Sequence, residues 1–389
     1  MKYVKNKVNK NNVLTIYLEG EINSLTSEEV ENEILSTLNN ESFDKLVLNL
    51  GEVTYVSSSG LRVVLRLKQT YKDFAVEDTC PSVFEVFQMT GFTNIMPVSK
   101  ALVSVDVTGC EVIGEGYFSI VYRLDKDTIV KAYRKHTDIK EVERELGMAK
   151  KAFILGIPTA ISYDIVKIKD KLGVRFEMLD SISLRDMFRD NPERFDELLD
   201  KYVELMKKIN TTESDTTELP NTKERWLLKL NEISEMLTDS EYTRLLTMIN
   251  NIPDRKTFVH GDCHFKNIMS QNGELLLIDM DTLSIGHPIF ELAAGLFIPY
   301  IAFEEDEPGN CERFLGVSKE LSFKIANKAL EKYLNTDKEE YKDKIKIVGY
   351  THLLWWCKQN EPDNKVRING VLSRLKELIK KYKDLDIGI

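Results

Sequence analysis

The 389-residue chain lacks the sequence features of secreted, disulfide-rich and membrane-spanning proteins. Its five cysteines are odd in number, widely spaced and without a C-x-x-C pair, which indicates reduced thiols rather than disulfides or a structural metal. The basic start M-K-Y-V-K-N-K-V-N-K has no apolar signal core, and the longest uncharged apolar run, 292–303, is far shorter than the ~20 residues that span a bilayer. We therefore expect a cytoplasmic protein that does not bind membranes.

The chain also has fewer basic than acidic residues. The chain has 53 Lys and Arg against 63 Asp and Glu, a net charge of −10, which disfavours binding to nucleic acid and to anionic membranes. Apolar residues make up 42% and charged residues 30%, as in soluble globular proteins. The length predicts two or three domains, and no Gly/Ser-rich or Pro-rich linker separates the first from the next.

Three side chains in the stretch 258–282 have the chemistry that phosphoryl transfer needs, namely a carboxylate near the attacking hydroxyl and oxygen ligands for Mg²⁺. Asp262 follows the strand-like 257–259 and is placed to accept the hydroxyl proton or to orient the nucleophile. Asn267 lies five residues later, and Asp279 ends the apolar run 275–278, so a buried strand delivers its carboxylate to a fixed place. Asn272-Gly273 predicts the turn between two short strands.

His260 and His264 flank Asp262 and raise the alternative of a zinc site. The spacing H-x-x-x-H is that of a helical metal pair, but Gly261 and the missing third ligand argue against zinc. We favour the interpretation that both histidines orient the loop through hydrogen bonds to the backbone.

The pattern H-G-D-x-H-x-x-N followed by I-D-x-D resembles the aminoglycoside phosphotransferase and choline kinase family, whose fold is protein-kinase-like. The resemblance implies that Asp262 is the catalytic base and that Asn267 and Asp279 are magnesium ligands. Cys263 and Phe265 stand where the family usually has Leu and Pro, changes that bear on loop packing.

A glycine-rich hairpin over 113–122 is the candidate phosphate loop. Gly114 and Gly116 lack side chains, so their backbone could approach nucleotide phosphates, and Ser119 stands where protein kinases have a third glycine. Lys131 follows in the apolar strand I-V-K-A-Y, at the kinase-like distance from the loop, where it would contact phosphate oxygens.

Glu145, on a helix predicted over 139–155, is the expected partner of that lysine. Two other acidic residues of the helix compete for the role: Glu143, the stronger, and Glu141. The run 175–179 resembles the strand that leads to a kinase hinge, and we expect Glu177 and Leu179 to provide the backbone contacts to the nucleotide base.

The first hundred residues have another pattern. Alternation over 14–18 predicts a half-buried strand, and a helix should follow from about Ser27 with Thr26 as its cap. A strand over 46–50 and helices over 58–71 and 82–89 complete the unit. Between strand and helix lies Y-V-S-S-S-G-L, whose free backbone amides suit an anion or a phosphate carried on a serine, although a serine-rich helix cap is the simpler interpretation.

Element order and motif together resemble the STAS domain of anti-sigma-factor antagonists over about residues 1–100, including V-S-S-S-G-L-R and the later M-T-G-F. The resemblance implies interaction and regulation, with Ser59 as the regulatory phosphorylation site. The family commonly has Asp where this chain has Ser57.

We therefore predict a mixed α/β and α+β chain in which a small STAS-like α/β domain (1–100) precedes a two-lobed protein-kinase-like domain. Its N-lobe, with the Gly-rich loop, covers 101–180, and its mainly helical C-lobe, with the catalytic and metal residues, covers 181–389. In the C-lobe we predict helices over 192–209, 223–237 and 239–252, and Glu291 stands where the related enzymes usually have Asp.

The combined pattern favours an ATP- or GTP-dependent, Mg²⁺-dependent phosphotransferase acting on a hydroxyl of a small molecule. Two alternatives stay open: a protein kinase acting on Ser59 or on a STAS-domain partner, and a nucleotide-sensing regulatory module without turnover. Against a protein kinase, only eleven residues separate Asp279 from Glu291, and the loop is H-G-D rather than H-R-D. The net charge and the acidic run 304–307 favour a cationic acceptor, although a solvated loop is the simpler interpretation of that run.

Overall fold

The structure is a computed structural model that describes residues 2–39, 41–116, 119–135, 137–214 and 219–389. Two compact units divide the chain, Met1–Asp106 and Val107–Ile389. Across the described ranges, no helix is both long and apolar enough to cross a membrane.

The first unit is a five-stranded sheet whose parallel strands are joined by helices. Its elements are β1 Val4–Lys10, β2 Val13–Ile22, α1 Ser27–Leu38, β3 Lys45–Val56, α2 Ser58–Thr70, β4 Phe74–Thr79, α3 Pro81–Met89, a 3-10 turn Phe92–Asn94, and β5 Val98–Lys100. The strands lie in the order β1-β2-β3-β4-β5; β1 pairs antiparallel with β2, and the other pairs are parallel. Helical crossovers between neighbouring parallel strands are what such a sheet requires.

The alternating residues of β2 explain the core of this unit. Leu14, Ile16 and Leu18 are fully buried and pack in one cluster with Val30 and Ile34 of α1. Thr26 is the N-cap residue of α1, as predicted, but its side chain makes no cap hydrogen bond, because its hydroxyl donates to the Glu21 carbonyl.

The second unit begins with an antiparallel sheet. A short strand β6, Val103–Ser104, falls within the bounds of the first unit, and the second unit then contains β7 Glu111–Glu115, β8 Ser119–Arg123, β9 Thr128–Tyr133, α4 Ile139–Ile154, β10 Ser162–Ile168 and β11 Lys171–Glu177. The last five strands lie in the order β10-β11-β9-β8-β7. Strand β9 is therefore central, and Val142 of α4 packs with Val174 and Tyr133 in a small core.

The rest of the second unit is mainly helical. Its elements are β12 Ile182–Ser183, α5 Leu184–Asp190, α6 Phe195–Thr211, α7 Thr222–Glu232, α8 Asp239–Asn250, β13 Phe258–Val259, β14 Ile268–Gln271, β15 Glu274–Leu277, β16 Ser284–Ile285, α9 Pro288–Glu291, α10 Phe303–Asp306, α11 Lys319–Leu334, α12 Glu339–Asn360 and α13 Lys365–Lys381. The apolar Leu292–Ala302, between α9 and α10, has π-helical hydrogen bonds, as has Cys311–Leu315.

Two predicted helices are shorter than expected. The helix predicted over 223–237 ends at Glu232 and is followed by a 3-10 turn, Ser234–Met236, and the one predicted from residue 192 starts with a 3-10 turn, Pro192–Arg194. The turn at Asn272-Gly273 is confirmed: both residues have positive φ, 54° and 85°, and they connect the antiparallel pair β14 and β15.

Candidate active site

The loop 260–267 is held at its start by the strand pair β13 and β16. Within it, the Asn267 amide Nδ2 donates to Asp262 Oδ2 at 2.8 Å and to the Asp262 carbonyl at 3.0 Å. Both contacts use the amide nitrogen, so the carbonyl oxygen of the Asn267 side chain keeps its capacity to bind a metal. Asp262 is 43% exposed but lies low in the cleft, where burial by surrounding atoms raises its pKa to about 7.

Glu291 supports this loop from the protein interior. It is fully buried, and its Oε2 accepts from the backbone N–H of His260 at 2.5 Å and of Gly261 at 3.2 Å. Burial raises the pKa of this carboxyl to about 7, and the backbone hydrogen bonds act in the opposite direction. Gly295 makes room for the glutamate, because a Cβ there would lie 2.7 Å from Glu291 Oε1.

The two unusual loop residues, Cys263 and Phe265, are both completely buried. The carbonyl of Cys263 accepts from the Tyr202 hydroxyl at 2.5 Å, and the Phe265 N–H donates to the Tyr300 hydroxyl at 2.8 Å. Phe265 also packs edge-on against Tyr300, with 4.9 Å between ring centroids. These contacts fix the loop backbone.

The two histidines make contacts within the loop. His260 Nδ1 accepts from the Asp262 N–H at 3.2 Å, and the His260 carbonyl accepts from the Thr282 hydroxyl at 2.6 Å. His264 Nε2 lies 3.4 Å from Asp262 Oδ1, and burial lowers the His264 pKa to about 4, so this ring is neutral. Among the described residues, no three His, Cys, Asp or Glu side chains form a metal cluster.

Asp279 follows β15 in a left-handed backbone conformation, with φ of 65°. Its Oδ1 lies 2.6 Å from Lys131 Nζ, which also contacts Glu145 Oε1 at 2.9 Å. Tyr133 donates to the other Glu145 oxygen at 2.5 Å. Burial opposes the charge on Lys131, yet Asp279 and Glu145 together hold the lysine pKa above its ordinary value. Glu145, not Glu143 or Glu141, is thus the helix residue at this lysine.

A second acidic residue of this segment, Asp281, was not among the predicted site residues. It is exposed to the cleft, and burial by the surrounding atoms together with the Asp279 carboxylate raises its pKa to about 7. The pattern I-D-x-D already contained it, two residues after Asp279.

The glycine-rich hairpin pairs β7 with β8, and the Gly116 N–H donates to the Ser119 carbonyl at 2.9 Å. Residues 117 and 118 at its tip lie outside the described residues. The backbone N–H of Glu177 is already engaged by the Ile161 carbonyl at 2.9 Å, so the expected contact to a base cannot use that amide. The Leu179 carbonyl accepts from the Ser181 hydroxyl at 3.3 Å.

These features can be compared with known proteins. A family model described as "Phosphotransferase enzyme family" matches residues 109–313, which is more than half of the 389 residues. The chain belongs to the phosphotransferase enzyme family.

The part of the chain that precedes the phosphotransferase segment matches a STAS domain model over residues 4–105. Over 105 residues it is 34% identical to the putative anti-sigma factor antagonist BtrV of Bordetella bronchiseptica, covering 26% of this chain and 88% of that protein. Ser59 lies half-buried in the first turn of α2, and its N–H donates to the capping Ser57 hydroxyl at 3.2 Å. The resemblance to a STAS domain is therefore confirmed.

Solved structures of phosphotransferases are also similar to this chain. The amicoumacin kinase in complex with AMP-PNP, Ca²⁺ and Ami has a TM-score of 0.48 and 15% identity, covering 76% of this chain and 94% of that one. A choline/ethanolamine kinase family protein from Mesorhizobium loti has a TM-score of 0.47 and 12% identity, covering 70% and 89%.

Glu291 gives a first prediction for this phosphotransferase. Glu291→Gln replaces one acceptor oxygen with an NH2 group, which cannot accept hydrogen bonds from the backbone N–H groups that it faces. We therefore expect the free energy of unfolding of the second unit to fall by about 1.5–3 kcal/mol. Glu291→Asp should have a smaller effect. The aspartate keeps a carboxylate, but its shorter side chain lies farther from the backbone N–H groups of His260 and Gly261. Chemical denaturation followed by tryptophan fluorescence measures both, with Glu204→Gln on the exposed face of α6 as the control. Equal stability of Glu291→Gln and the control would contradict the supporting role.

Proposed function

We propose that the second unit transfers the γ-phosphoryl group of ATP or GTP to a hydroxyl of a small molecule. The observation that carries this proposal is the bridge made by Lys131, whose ammonium contacts Glu145 on one side and Asp279 on the other. This lysine connects strand β9, on the proposed phosphate side, with Asp279, the proposed metal ligand. The same ion pairs therefore fix the positions of both groups.

We assign a distinct role to each residue of the site. Asp262 orients the acceptor hydroxyl and takes its proton, because its Oδ1 is not used by Asn267. The Asn267 side-chain oxygen and Asp279 would hold Mg²⁺, with Asp281 as a further oxygen donor. Such an open set suits Mg²⁺, which keeps several waters and binds through one or two carboxylates plus substrate phosphates. When bound, Mg²⁺ would neutralise charge that develops on the transferred group.

On the nucleotide side, Gly114, Gly116 and Ser119 are assigned to the phosphate loop. Gly114 lies on β7, Gly116 directly follows β7, and Ser119 begins β8. Gly114 pairs with Val121, and a Cβ on this glycine would lie 3.6 Å from the Val121 side chain. Glu177 stays a predicted base contact through its carbonyl oxygen, since its N–H is engaged by the Ile161 carbonyl, and Leu179 stays a predicted base contact through its backbone.

The short connection between Asp279 and Glu291 supports a small acceptor rather than a protein. Thr282 bonds the His260 carbonyl, β16 pairs with β13, and α9 begins at Pro288. Almost the whole connection is thus used in packing against the catalytic loop, which leaves no extended segment on which a peptide could lie.

For the first unit, we propose that Ser59 is a regulatory phosphorylation site and that the domain binds a protein partner. Ser59 sits in the first turn of α2, where backbone amides and the helix dipole stabilise a phosphate. Gly60 permits the close approach of this turn to β2, because a Cβ there would lie 2.5 Å from the Ile22 carbonyl.

The proposed function is tested by titrating the full chain with MgATP and MgGTP and then screening pooled sugars, amino sugars and amino alcohols for nucleotide-dependent phosphorylation. Nucleotide binding with transfer to a small acceptor supports the proposal. Binding without any turnover would favour a nucleotide-sensing module, and failure to bind either nucleotide would overturn the proposal.

Nucleotide binding should survive removal of the first unit. We expect the fragment Val107–Ile389 to bind nucleotide with a dissociation constant within about twofold of that of the full chain, because all the assigned nucleotide residues lie within it. Calorimetric titration of both proteins measures this. A folded fragment that has lost nucleotide binding would contradict the division of roles between the two units.

A further inference from the structure

We propose that Tyr133 of β9 is a positioning residue for nucleotide binding: its hydroxyl holds the Glu145 carboxylate in the place where that carboxylate fixes Lys131. This inference rests on the proposed function and names a further residue of the same site. It is carried by a continuous series of short contacts that runs from Tyr133 through Glu145 and Lys131 to Asp279.

The two oxygens of the Glu145 carboxylate have different partners. Oε1 lies 2.9 Å from Lys131 Nζ, and Oε2 accepts from the Tyr133 hydroxyl at 2.5 Å. Within the part of the chain that the structure describes, no third donor contacts this carboxylate. The Glu145 side chain is only 12% exposed, so its orientation depends on these two donors. Without Tyr133, the Oε2 atom would have no donor.

Strand β9 places the tyrosine and the lysine on one face of the sheet. Lys131 and Tyr133 lie two residues apart in this strand, and residues two apart in a strand point to the same face. Val174 of β11 lies directly opposite Lys131 and packs with Tyr133 and with Val142 of α4. Glu145 follows Val142 by one helical turn on α4. Both side chains that contact Glu145 therefore come from the face of β9 that α4 covers.

Lys131 has a second acceptor, which the proposed function also needs. Asp279 Oδ1 lies 2.6 Å from the lysine ammonium, and Asp279 is the proposed Mg²⁺ ligand. A carboxylate that binds a metal cation attracts a neighbouring ammonium less strongly, so the position of Lys131 then depends on Glu145. Tyr133 therefore acts on the lysine through Glu145 and has no direct part in the transfer.

The glycine-rich hairpin is held by a different residue. Tyr133 lies opposite Ser119 in the ladder of β8 and β9, which offers a second route by which Tyr133 could affect nucleotide binding. The hairpin has its own contact from the next residue, because Arg134 Nε donates to the Gly116 carbonyl at 3.1 Å. The pairing of Tyr133 with Ser119 belongs to the backbone. Tyr133→Phe removes only the hydroxyl, so both of these contacts should remain.

The test measures nucleotide binding to the full chain by calorimetry, with MgAMP-PNP and MgGMP-PNP as the probes. Tyr133→Phe keeps the ring that packs with Val142 and Val174 and removes the donor to Glu145. We expect this variant to bind the probe about three- to tenfold more weakly than the wild type, because Lys131 loses its fixed partner. Thermal unfolding of each variant is recorded, and the titrations are run below the unfolding temperature of the least stable variant.

A double-mutant cycle separates positioning through Glu145 from a merely structural role. Glu145→Ala removes the carboxylate that Tyr133 holds, so adding Tyr133→Phe to it should change the dissociation constant of the probe by less than about twofold. A tyrosine that only stabilises the core would instead lower the unfolding temperature and leave the dissociation constant of Tyr133→Phe unchanged. Glu145→Gln is the second background, in which Tyr133→Phe should also have a smaller effect than in the wild type. It keeps the cycle usable if Glu145→Ala does not fold.

Tyr122→Phe is the matched control. Tyr122 lies on the neighbouring strand β8, opposite Val130, and therefore on the other face of the sheet from Lys131. Among the described residues, its hydroxyl makes no hydrogen bond. The control should bind the probe with the affinity of the wild type.

The outcomes separate this inference from the proposed function. If the wild type binds nucleotide and Tyr133→Phe binds it equally well, Tyr133 has no positioning role and the phosphotransferase proposal stands. The inference is also wrong if Tyr133→Phe weakens binding by the same factor with and without Glu145, or if Tyr122→Phe weakens it as much. If the wild type binds neither probe, the proposed function fails and the inference fails with it.

Discussion

Asp279→Asn should reduce Mg²⁺-dependent phosphoryl transfer by at least about 10²–10³-fold, because it removes charge from the proposed metal site where transition-state charge develops. The substitution suits this position for a structural reason. Asp279 has a φ of 65°, and Asn tolerates the left-handed conformation better than other non-glycine residues, so the backbone after β15 should not change. Asp279→Ala would combine the loss of a ligand with backbone strain and would be harder to interpret.

The Asp279→Asn variant also loses an ion pair with Lys131, whose other partner, Glu145, remains at 2.9 Å. We therefore expect the protein to stay folded, with transfer measured over a range of Mg²⁺ concentrations. Asp170→Asn, the same change at an exposed turn between β10 and β11, is the control. A wild-type rate with unchanged Mg²⁺ dependence in Asp279→Asn would show that this residue is not a metal ligand.

Asp262→Asn should lower the rate of transfer by about 10²–10⁴-fold while leaving nucleotide affinity nearly unchanged, because we propose that Asp262 is the base that acts on the acceptor hydroxyl. An asparagine at 262 can still accept from Asn267 through its amide oxygen, so the loop should keep its conformation. Single-turnover transfer measures the rate, and calorimetry measures nucleotide binding in the same preparation.

An Asp262→Asn variant with near-normal transfer would exclude this residue as the base. A variant that has lost transfer together with nucleotide binding would instead indicate a collapsed cleft. The double variant Asp262→Asn with Asp279→Asn should be little slower than the slower single variant, since the two groups act on one transition state.

Much of the site could be predicted because its residues lie close in sequence within one loop and one hairpin. The spacing of Asp262 and Asn267 allows their side chains to meet, and the structure joins them at 2.8 Å. The turn at Asn272-Gly273 was predicted for the same reason, since positive φ at two consecutive positions favours Asn and Gly. Local chemistry of this kind is visible in the sequence.

Features that depend on distant packing were not predictable. The sequence predicts a helix that continues to residue 237, but α7 ends at Glu232. No local sequence pattern indicates that Arg225 lies beside Thr282, which is 57 residues away. The room that Gly295 provides for Glu291 depends on a π-helical segment whose apolar sequence predicts only a buried helix. Two carboxylates of the acidic run 304–307 likewise have partners 45 to 68 residues away: Glu305 accepts from Tyr350 of α12, and Asp306 pairs with Arg367 and Arg374 of α13.

The most direct test of the account follows the labelled γ-phosphoryl group of ATP after incubation with the full chain, Mg²⁺, a pool of small hydroxyl compounds and a purified STAS-domain protein. Mass spectrometry then identifies where the label resides. The account predicts that the label is found on a small molecule and that this labelling is lost in Asp262→Asn. Rapid, stoichiometric label on Ser59 or on the added STAS-domain protein, with no labelled small molecule, would contradict it and identify a protein kinase.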